Sequence, residues 1–579
     1  MKLSDYIWDF VEKQGVKHVF MFPGGGAMHL VDSLGRNKKL EYVTLLHEQA
    51  CSMAAETYSR IAYNLGVALV TTGPGGTNAI TGVAAAWLES TPMLIISGQV
   101  KTTDLKDGFG VRQRGNQEIG IVDIVSSITK YAVTIKDPQK IKYHLEKAVY
   151  EAKNGRPGPV WLDIPLDVQA AEIEVENLES FGRFTESVSI NDEVLATISL
   201  LNKSKKPVII AGQGIERNNG KEVFRNLVDR LQIPVLCSWI AVELLEYDNP
   251  YNLGKPGMVA PRYSNYTMQE ADLIIAIGTR LDSAMIGYNP DDFAPHAKKV
   301  IVDVDKAELD KFKFDIELKI EADATEFLEL FYENIDNVKL LKEVEMWVEQ
   351  CRKWKKQFPI LLNDFTEEQD AVNPYFFVDK LSDFLEEDDV IIPGSSGAGI
   401  DVFWLGIKNR KNQRLIATGA LGSMGYGIPA AIGACIASGR RTICIEGDGS
   451  LQLNIQELSS IVGMQLSIKI FINGNGGYLS IKNMQKNHFN GAFVGADETS
   501  RLYIPDILSV AKAYGLNTFK IEHHNEVEEK IVEVLETNGP ALCYVHMRDD
   551  LVIQPKVMSR VGEDGKMISG KLKELWPII

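Results

Sequence analysis

Short apolar runs recur along the whole chain, each bounded by Gly, Pro or Asp: VALVTTG, PMLIISGQ, PVIIAGQG, DLIIAIGTR, KVIVDVD, RTICIEGDG and SIKIFING. They are rich in β-branched residues, and most are followed by an amphipathic stretch at helical spacing. Continuous apolar strands alternating with such helices predict an α/β fold of mainly parallel sheets covered on both faces. The opening segment, MKLSDYIWDFVEKQGV, carries apolar residues at helical spacing and predicts an amphipathic helix.

Two breaks interrupt this rhythm. Residues 170–192 are acidic, lack clean periodicity and read as a linker; residues 339–374 read as a charged helix with an apolar stripe, then a connector. The predicted organisation is therefore three α/β domains over 1–170, 193–335 and 373–555, with a tail at 556–579. No repeat between the first and third blocks is visible residue by residue.

Composition narrows the function. A chain of 579 residues is long enough for several domains, and 61 Lys and Arg against 78 Asp and Glu give a net charge of −17. That balance disfavours phosphate backbones and anionic lipid surfaces, so no nucleic acid or membrane partner is expected. Small anions remain open through helix N-termini or a bound metal. The six cysteines show no CxxC spacing and read as buried thiols of a reducing compartment. No signal-peptide pattern and no apolar run of about 18 residues is present. A cytoplasmic enzyme is the expectation.

The strongest chemical signal is EGDGSLQLNIQELSSIVGMQLSIKIFINGNGGY. It places Gly447, Asp448 and Gly449 at the end of one strand and Asn475 at the end of the next. Asp448 and Asn475 offer one charged and one neutral oxygen ligand, a set that suits Mg²⁺ when a diphosphate completes the octahedron. Gly449 and Ser450 open a helix whose free N–H groups would face the phosphates.

GDG followed by an Asn about 27 residues on resembles the thiamine diphosphate signature. LHEQACSMAAETYSR, TTGPGGTNAITGVAAAWLESTPMLIISGQV and GALGSMGYGIPAAIGA resemble the acetolactate (acetohydroxyacid) synthases in the same order. The resemblance covers roughly residues 1–550 and implies pyrimidine-binding, central and diphosphate-binding domains. It implies Glu48 as the acid–base group that activates the cofactor and Met424 as the apolar prop beneath it. The backbones of Gly422 and Met424 would bond the aminopyrimidine. Asp448, Asn475 and the carbonyl of Gly477 would be the metal ligands, next to Tyr478. The loop with Ser396, Gly397 and Ala398 would lie on the diphosphate side. Gln117 and Gly25 would line the substrate. The resemblance also implies a homodimer at least, with a homotetramer as the alternative, because family sites draw on two chains.

The stretch GFGVRQRGNQEIG holds no histidine, whereas aldehyde-releasing decarboxylases of the family carry a His-His pair there. This favours carboligation of a 2-oxo acid donor, pyruvate or a close analogue, to a carbonyl acceptor over simple decarboxylation. Met484 stands where synthases carry an acceptor-selecting tryptophan, and Asn116 replaces the phenylalanine before Gln117. Both changes suggest a larger or more polar acceptor, such as a nucleotide-linked keto-sugar. Arg280 matches a position associated with the acceptor or with FAD. RLDSA lacks the second arginine of that motif, so FAD is left open. A non-catalytic paralogue is opposed by the intact Glu48, Asp448 and Asn475. An NAD oxidoreductase is opposed by the lack of GxGxxG with its acidic follower in either outer block. The His523–His524 pair reads as solvated surface.

Overall fold

The computed structural model describes residues 1–182, 189–217, 219–367, 370–394, 397–561 and 567–578. Three parallel sheets form it. The first contains β1 (His18–Met21), β2 (Glu41–Thr44), β3 (Gly66–Val70), β4 (Met93–Gln99), β5 (Tyr131–Thr134) and β6 (Pro159–Pro165), in the order β2-β1-β3-β4-β6-β5. The second contains β7 (Pro207–Ala211), β8 (Val235–Cys237), β9 (Leu273–Ile277), β10 (Lys298–Asp303) and β11 (Leu318–Glu321), in the order β11-β10-β9-β7-β8. The third contains β12 (Val390–Pro393), β13 (Arg414–Leu415), β14 (Thr442–Gly447), β15 (Ile468–Gly474), β16 (Asn517–Ile521) and β17 (Ala541–His546), in the order β13-β12-β14-β15-β17-β16.

Counted within each domain, the first and third sheets share one order, 2-1-3-4-6-5. The two outer domains are thus one topology used twice, although their residues do not repeat. Strands such as β3, β4, β12, β14 and β15 are buried along their whole length. Helices on both faces of a parallel sheet require this, which is why these strands read as unbroken apolar runs.

The outer domains are joined by a shared core. The helix Glu48–Ala62 lies against the helix Gly427–Ser438, and residues from both enter one apolar cluster with the two sheets. The approach is close enough that a Cβ on Gly433 would lie 2.2 Å from the backbone oxygen of Ala54. Only glycine fits there. Tyr426 caps the contact, its hydroxyl bonding Glu56 at 2.6 Å and Thr57 at 2.7 Å.

Residues just after position 170 are tied back to the first domain. Leu3 N–H donates to the Ala171 carbonyl at 2.9 Å, and Ile173 and Leu178 join the core beneath the N-terminal helix. Residues 183–188 of the expected linker lie outside the described residues. The charged helix Glu343–Gln357 buries Val344, Trp347, Val348 and Cys351 on one stripe. The tail runs over the central domain, where β18 (Lys556–Val557) pairs antiparallel with β19 (Leu575–Trp576) and Asn265 bonds the Leu572 carbonyl at 2.8 Å. His524 departs from the surface expectation. It is buried, accepts the Asn373 N–H at 2.8 Å and stacks on Phe376. No described helix is long and apolar enough to cross a membrane.

Candidate active site

Parallel sheets collect loops at the carboxyl ends of their strands, and ligands bind there. In the first domain those ends carry Gly25 after β1, Glu48 after β2 and the Thr71–Gly76 turn after β3. Gly24 and Gly26 sit directly against Thr71 and Thr72, where a Cβ would come within 2.5 and 2.7 Å. Gln117 is exposed with a left-handed backbone (φ 63°), and its carbonyl oxygen lies where a Cβ on Gly73 would approach to 2.7 Å.

Glu48 opens its helix, a position that favours a negative charge through the helix dipole. His47 caps the helix by accepting the Gln49 N–H at 3.1 Å. The Glu48 side chain is only 6% exposed and accepts one hydrogen bond, from Asn78 at 3.0 Å. No Lys, Arg or His pairs with it among the described residues. The carboxyl is thus held in place while part of its bonding capacity is unspent.

The third domain supplies the opposite wall. Asp448 is 1% exposed at the end of β14 and accepts the Gly449 N–H at 2.7 Å, the Gly476 N–H at 2.8 Å and the Gly477 N–H at 3.3 Å. Burial pushes its carboxyl up to about 6, against those backbone bonds, which pull it down. Among the described residues no basic side chain pairs with it. Asn475 lies half-buried at the end of β15 beside it. The Tyr478 ring packs on Gly449, where a Cβ would lie 2.5 Å from it. Ser450 Oγ accepts the Gly425 N–H at 2.8 Å and so fixes the end of the loop carrying Gly422 and Met424. Gly422 is exposed with φ 63°, and Met424 is half-buried.

Three model-family matches follow this layout. Residues 1–126 match the thiamine pyrophosphate enzyme N-terminal TPP binding domain, 194–331 the central domain and 399–545 the C-terminal TPP binding domain. The chain is 30% identical over 560 residues to the acetolactate synthase isozyme 1 large subunit of Escherichia coli, covering 96% of this chain and 95% of that one. The chain belongs to the thiamine pyrophosphate enzymes. This thiamine-dependent enzyme is also 31% identical over 564 residues to the mitochondrial acetolactate synthase of Schizosaccharomyces pombe, covering 93% and 82% of the two chains. A probable acetolactate synthase large subunit of Methanocaldococcus jannaschii is 31% identical over 574 residues, covering 96% and 92%.

Several side chains important to the enzyme's site escaped the sequence. Glu446, fully buried before Gly447, accepts the Gly427 N–H at 3.0 Å. Glu457 accepts the Leu46 N–H at 2.9 Å, and Asn454 donates to Gln49 at 3.1 Å, so the third domain grips both sides of Glu48. Each lies inside a quoted motif, but only the packing shows which way it turns.

Other expected residues are placed differently. Ser396 lies outside the described residues; Gly397 opens the helix Gly397–Gly406, which Ala398 continues. Met484 is 43% exposed on the helix Leu479–His488. Arg280 lies in a cleft at the carboxyl ends of β7 and β9 lined also by Gln213, Gly214, Asp303 and Ala420, the last on the loop that carries Gly422 and Met424. Among the described residues no hydrogen bond or ion pair joins Glu48 to Asp448 or Asn475 within one chain.

Proposed function

We propose that the enzyme decarboxylates pyruvate, or a close 2-oxo acid, and joins the two-carbon fragment to a second carbonyl compound, using thiamine diphosphate and Mg²⁺. The observation that carries this reading is Asp448: a buried carboxylate, bonded only by backbone N–H groups, beside Asn475. Such a charge needs a cation, and one acidic with one amide oxygen suits Mg²⁺ bridged to a diphosphate. Among the described residues, buried polar atoms without partners support a ligand at both walls: Thr71 Oγ1 in the first domain, Ser423 Oγ and Asn473 Oδ1 in the third.

The bound cofactor supplies a nucleophilic thiazolium carbon and an electron sink for the decarboxylation. Asp448, Asn475 and the Gly477 carbonyl hold the metal. The helix starts at Gly397–Ala398 and Gly447–Ser450 would hold the diphosphate. The backbones of Gly422 and Met424 would bind the aminopyrimidine, and the Met424 side chain would support the cofactor. Glu48 holds and moves a proton at its carboxyl oxygen, oriented by Asn78, while Gln117 and Gly25 border the substrate. In keeping with the family resemblance, in which sites draw on two chains, Glu48 of one chain would face Asp448 of another. A homodimer is the minimum assembly, with a homotetramer as the larger alternative, and the protein acts in the cytoplasm.

The central cleft suits a dinucleotide such as FAD. It sits where the strand order reverses between β7 and β9, and buried Gln213 Oε1 in its lining has no partner among the described residues. Asp303, pushed up to about 6 by burial, borders the same cleft. Flavin absorbance of the purified protein tests this.

The relatives are named acetolactate synthases, which makes a second 2-oxo acid the first acceptor to try. A larger polar acceptor, such as a nucleotide-linked keto-sugar, is the alternative; the groove beside Met484 is polar, lined by Lys482, Asn483, Lys486 and Asn490 together with Asp549 and Asp550. Proton NMR of purified protein with thiamine diphosphate, Mg²⁺ and pyruvate separates these readings. Rapid acetolactate formation supports the synthase; slow loss of pyruvate without it points to the larger acceptor; acetaldehyde as the main product means simple decarboxylation. Untouched pyruvate refutes the donor assignment.

A further inference from the structure

The loop from Gly419 to Met424 carries the two residues placed against the aminopyrimidine, yet it has little to hold it. Among the described residues, Gly422 N–H reaches only the adjoining Thr418 Oγ1, at 3.3 Å, and Ser423 Oγ is buried without a partner. Beyond it, Gly425 is fixed at both backbone groups, by Ser450 at 2.8 Å and Asn454 at 2.7 Å. Among the described residues, one group other than the adjoining Thr418 bonds the backbone of 419–424: Glu89 of the first domain, whose Oε1 accepts the Ala420 N–H at 2.7 Å.

Glu89 is well placed for such a task. It caps the C-terminus of the helix Pro74–Leu88, the helix that carries Asn78 and through it orients Glu48. It is 4% exposed, and its own carbonyl accepts a hydrogen bond from Arg217 of the central domain, so all three domains meet at this residue. A carboxylate at a helix C-terminus is electrostatically disfavoured, so helix stability does not account for it. Arg60 and Arg217 beside it favour the charge, and the bond to the Ala420 N–H is then charge-assisted, hence short and directional.

We propose that Glu89 is a positioning residue: through Ala420 it sets the loop that presents Gly422 and Met424 to thiamine diphosphate. The inference rests on the thiamine site proposed above. Glu89 itself touches no reacting atom, so its loss weakens the grip on the cofactor's aminopyrimidine.

The test compares Glu89→Ala, Glu89→Gln and Glu89→Asp in the full-length protein. Titration calorimetry with thiamine diphosphate and Mg²⁺ gives the affinity, and near-ultraviolet circular dichroism follows the bound aminopyrimidine. Glu89→Gln keeps an oxygen acceptor for Ala420 and is expected within about three-fold of the parent. Glu89→Ala is expected to raise the cofactor Kd by about ten-fold, equivalent to about 1.4 kcal/mol, and to reduce the dichroism at saturating cofactor. Glu89→Asp keeps the charge but falls short of Ala420, so it is expected to resemble Glu89→Ala; it decides the matter if the alanine variant does not fold. Affinity in Glu89→Ala or Glu89→Asp within three-fold of the parent overturns the proposal, as does Glu89→Gln weakened equally with Glu89→Ala. A parent protein that binds no thiamine diphosphate overturns the site itself, a result distinct from failure of the anchor.

Discussion

Gly433→Ala puts the fold to a test in which two arguments predict opposite signs. Gly433 lies inside the helix Gly427–Ser438, where intrinsic propensity says that Ala should stabilise by up to about 1 kcal/mol. The packing says otherwise. The added Cβ would lie 2.2 Å from the Ala54 oxygen and 2.9 Å from its carbonyl carbon, both backbone atoms of the facing helix. Ordinary contact needs roughly 1 Å more, so two helices buried between two domains must move apart, at about 1–3 kcal/mol for overpacking. The net expectation is a loss of about 1–2 kcal/mol, read as a lower denaturant midpoint at unchanged slope. Turnover should fall as well, since the displaced helix carries Glu48 at its N-terminus. Gly35→Ala is the control: nothing lies within 4 Å of its added Cβ, so it should be neutral or stabilising. If Gly433→Ala is as stable as the parent, the interface is not as tight as described.

Asp163, buried in β6 among Ser97, Gln99 and Thr134, has its carboxyl pushed up to about 6 by burial. That lies above the unfolded value near 3.9, so its contribution to stability is lost as pH rises from about 4 through 6, by about 3 kcal/mol. Relative to Asp163→Asn, the parent should lose about 2 kcal/mol of this between pH 4 and 7; parallel stability curves refute the burial argument. Glu48→Gln should cut turnover by orders of magnitude while thiamine diphosphate still binds, and near-normal activity would remove Glu48 from the mechanism. Asp448→Ala should abolish Mg²⁺-dependent cofactor binding, which calorimetry reads directly.

Much of this architecture was legible in the chain. Buried parallel strands announce themselves as apolar runs because both faces are covered, and the GDG turn with its later Asn marks two neighbouring strand ends. Orientation was not legible. Glu89, Glu446 and Glu457 are ordinary acidic letters until the packing shows each accepting a backbone N–H from another segment. His524 precedes an acidic stretch, and only the fold turns it inward onto Phe376. The common strand order of the outer sheets was hidden because topology survives complete replacement of side chains.

The central claim, that each site joins Glu48 of one chain to Asp448 of another, is tested most directly by complementation. Glu48→Gln and Asp448→Ala proteins, each inactive alone, are mixed under conditions of subunit exchange and assayed for pyruvate consumption. In a mixed dimer one site carries both lesions and the other carries neither, so random exchange restores about one quarter of the parent activity. If every site lies within one chain, each site keeps a lesion and the mixture stays inactive.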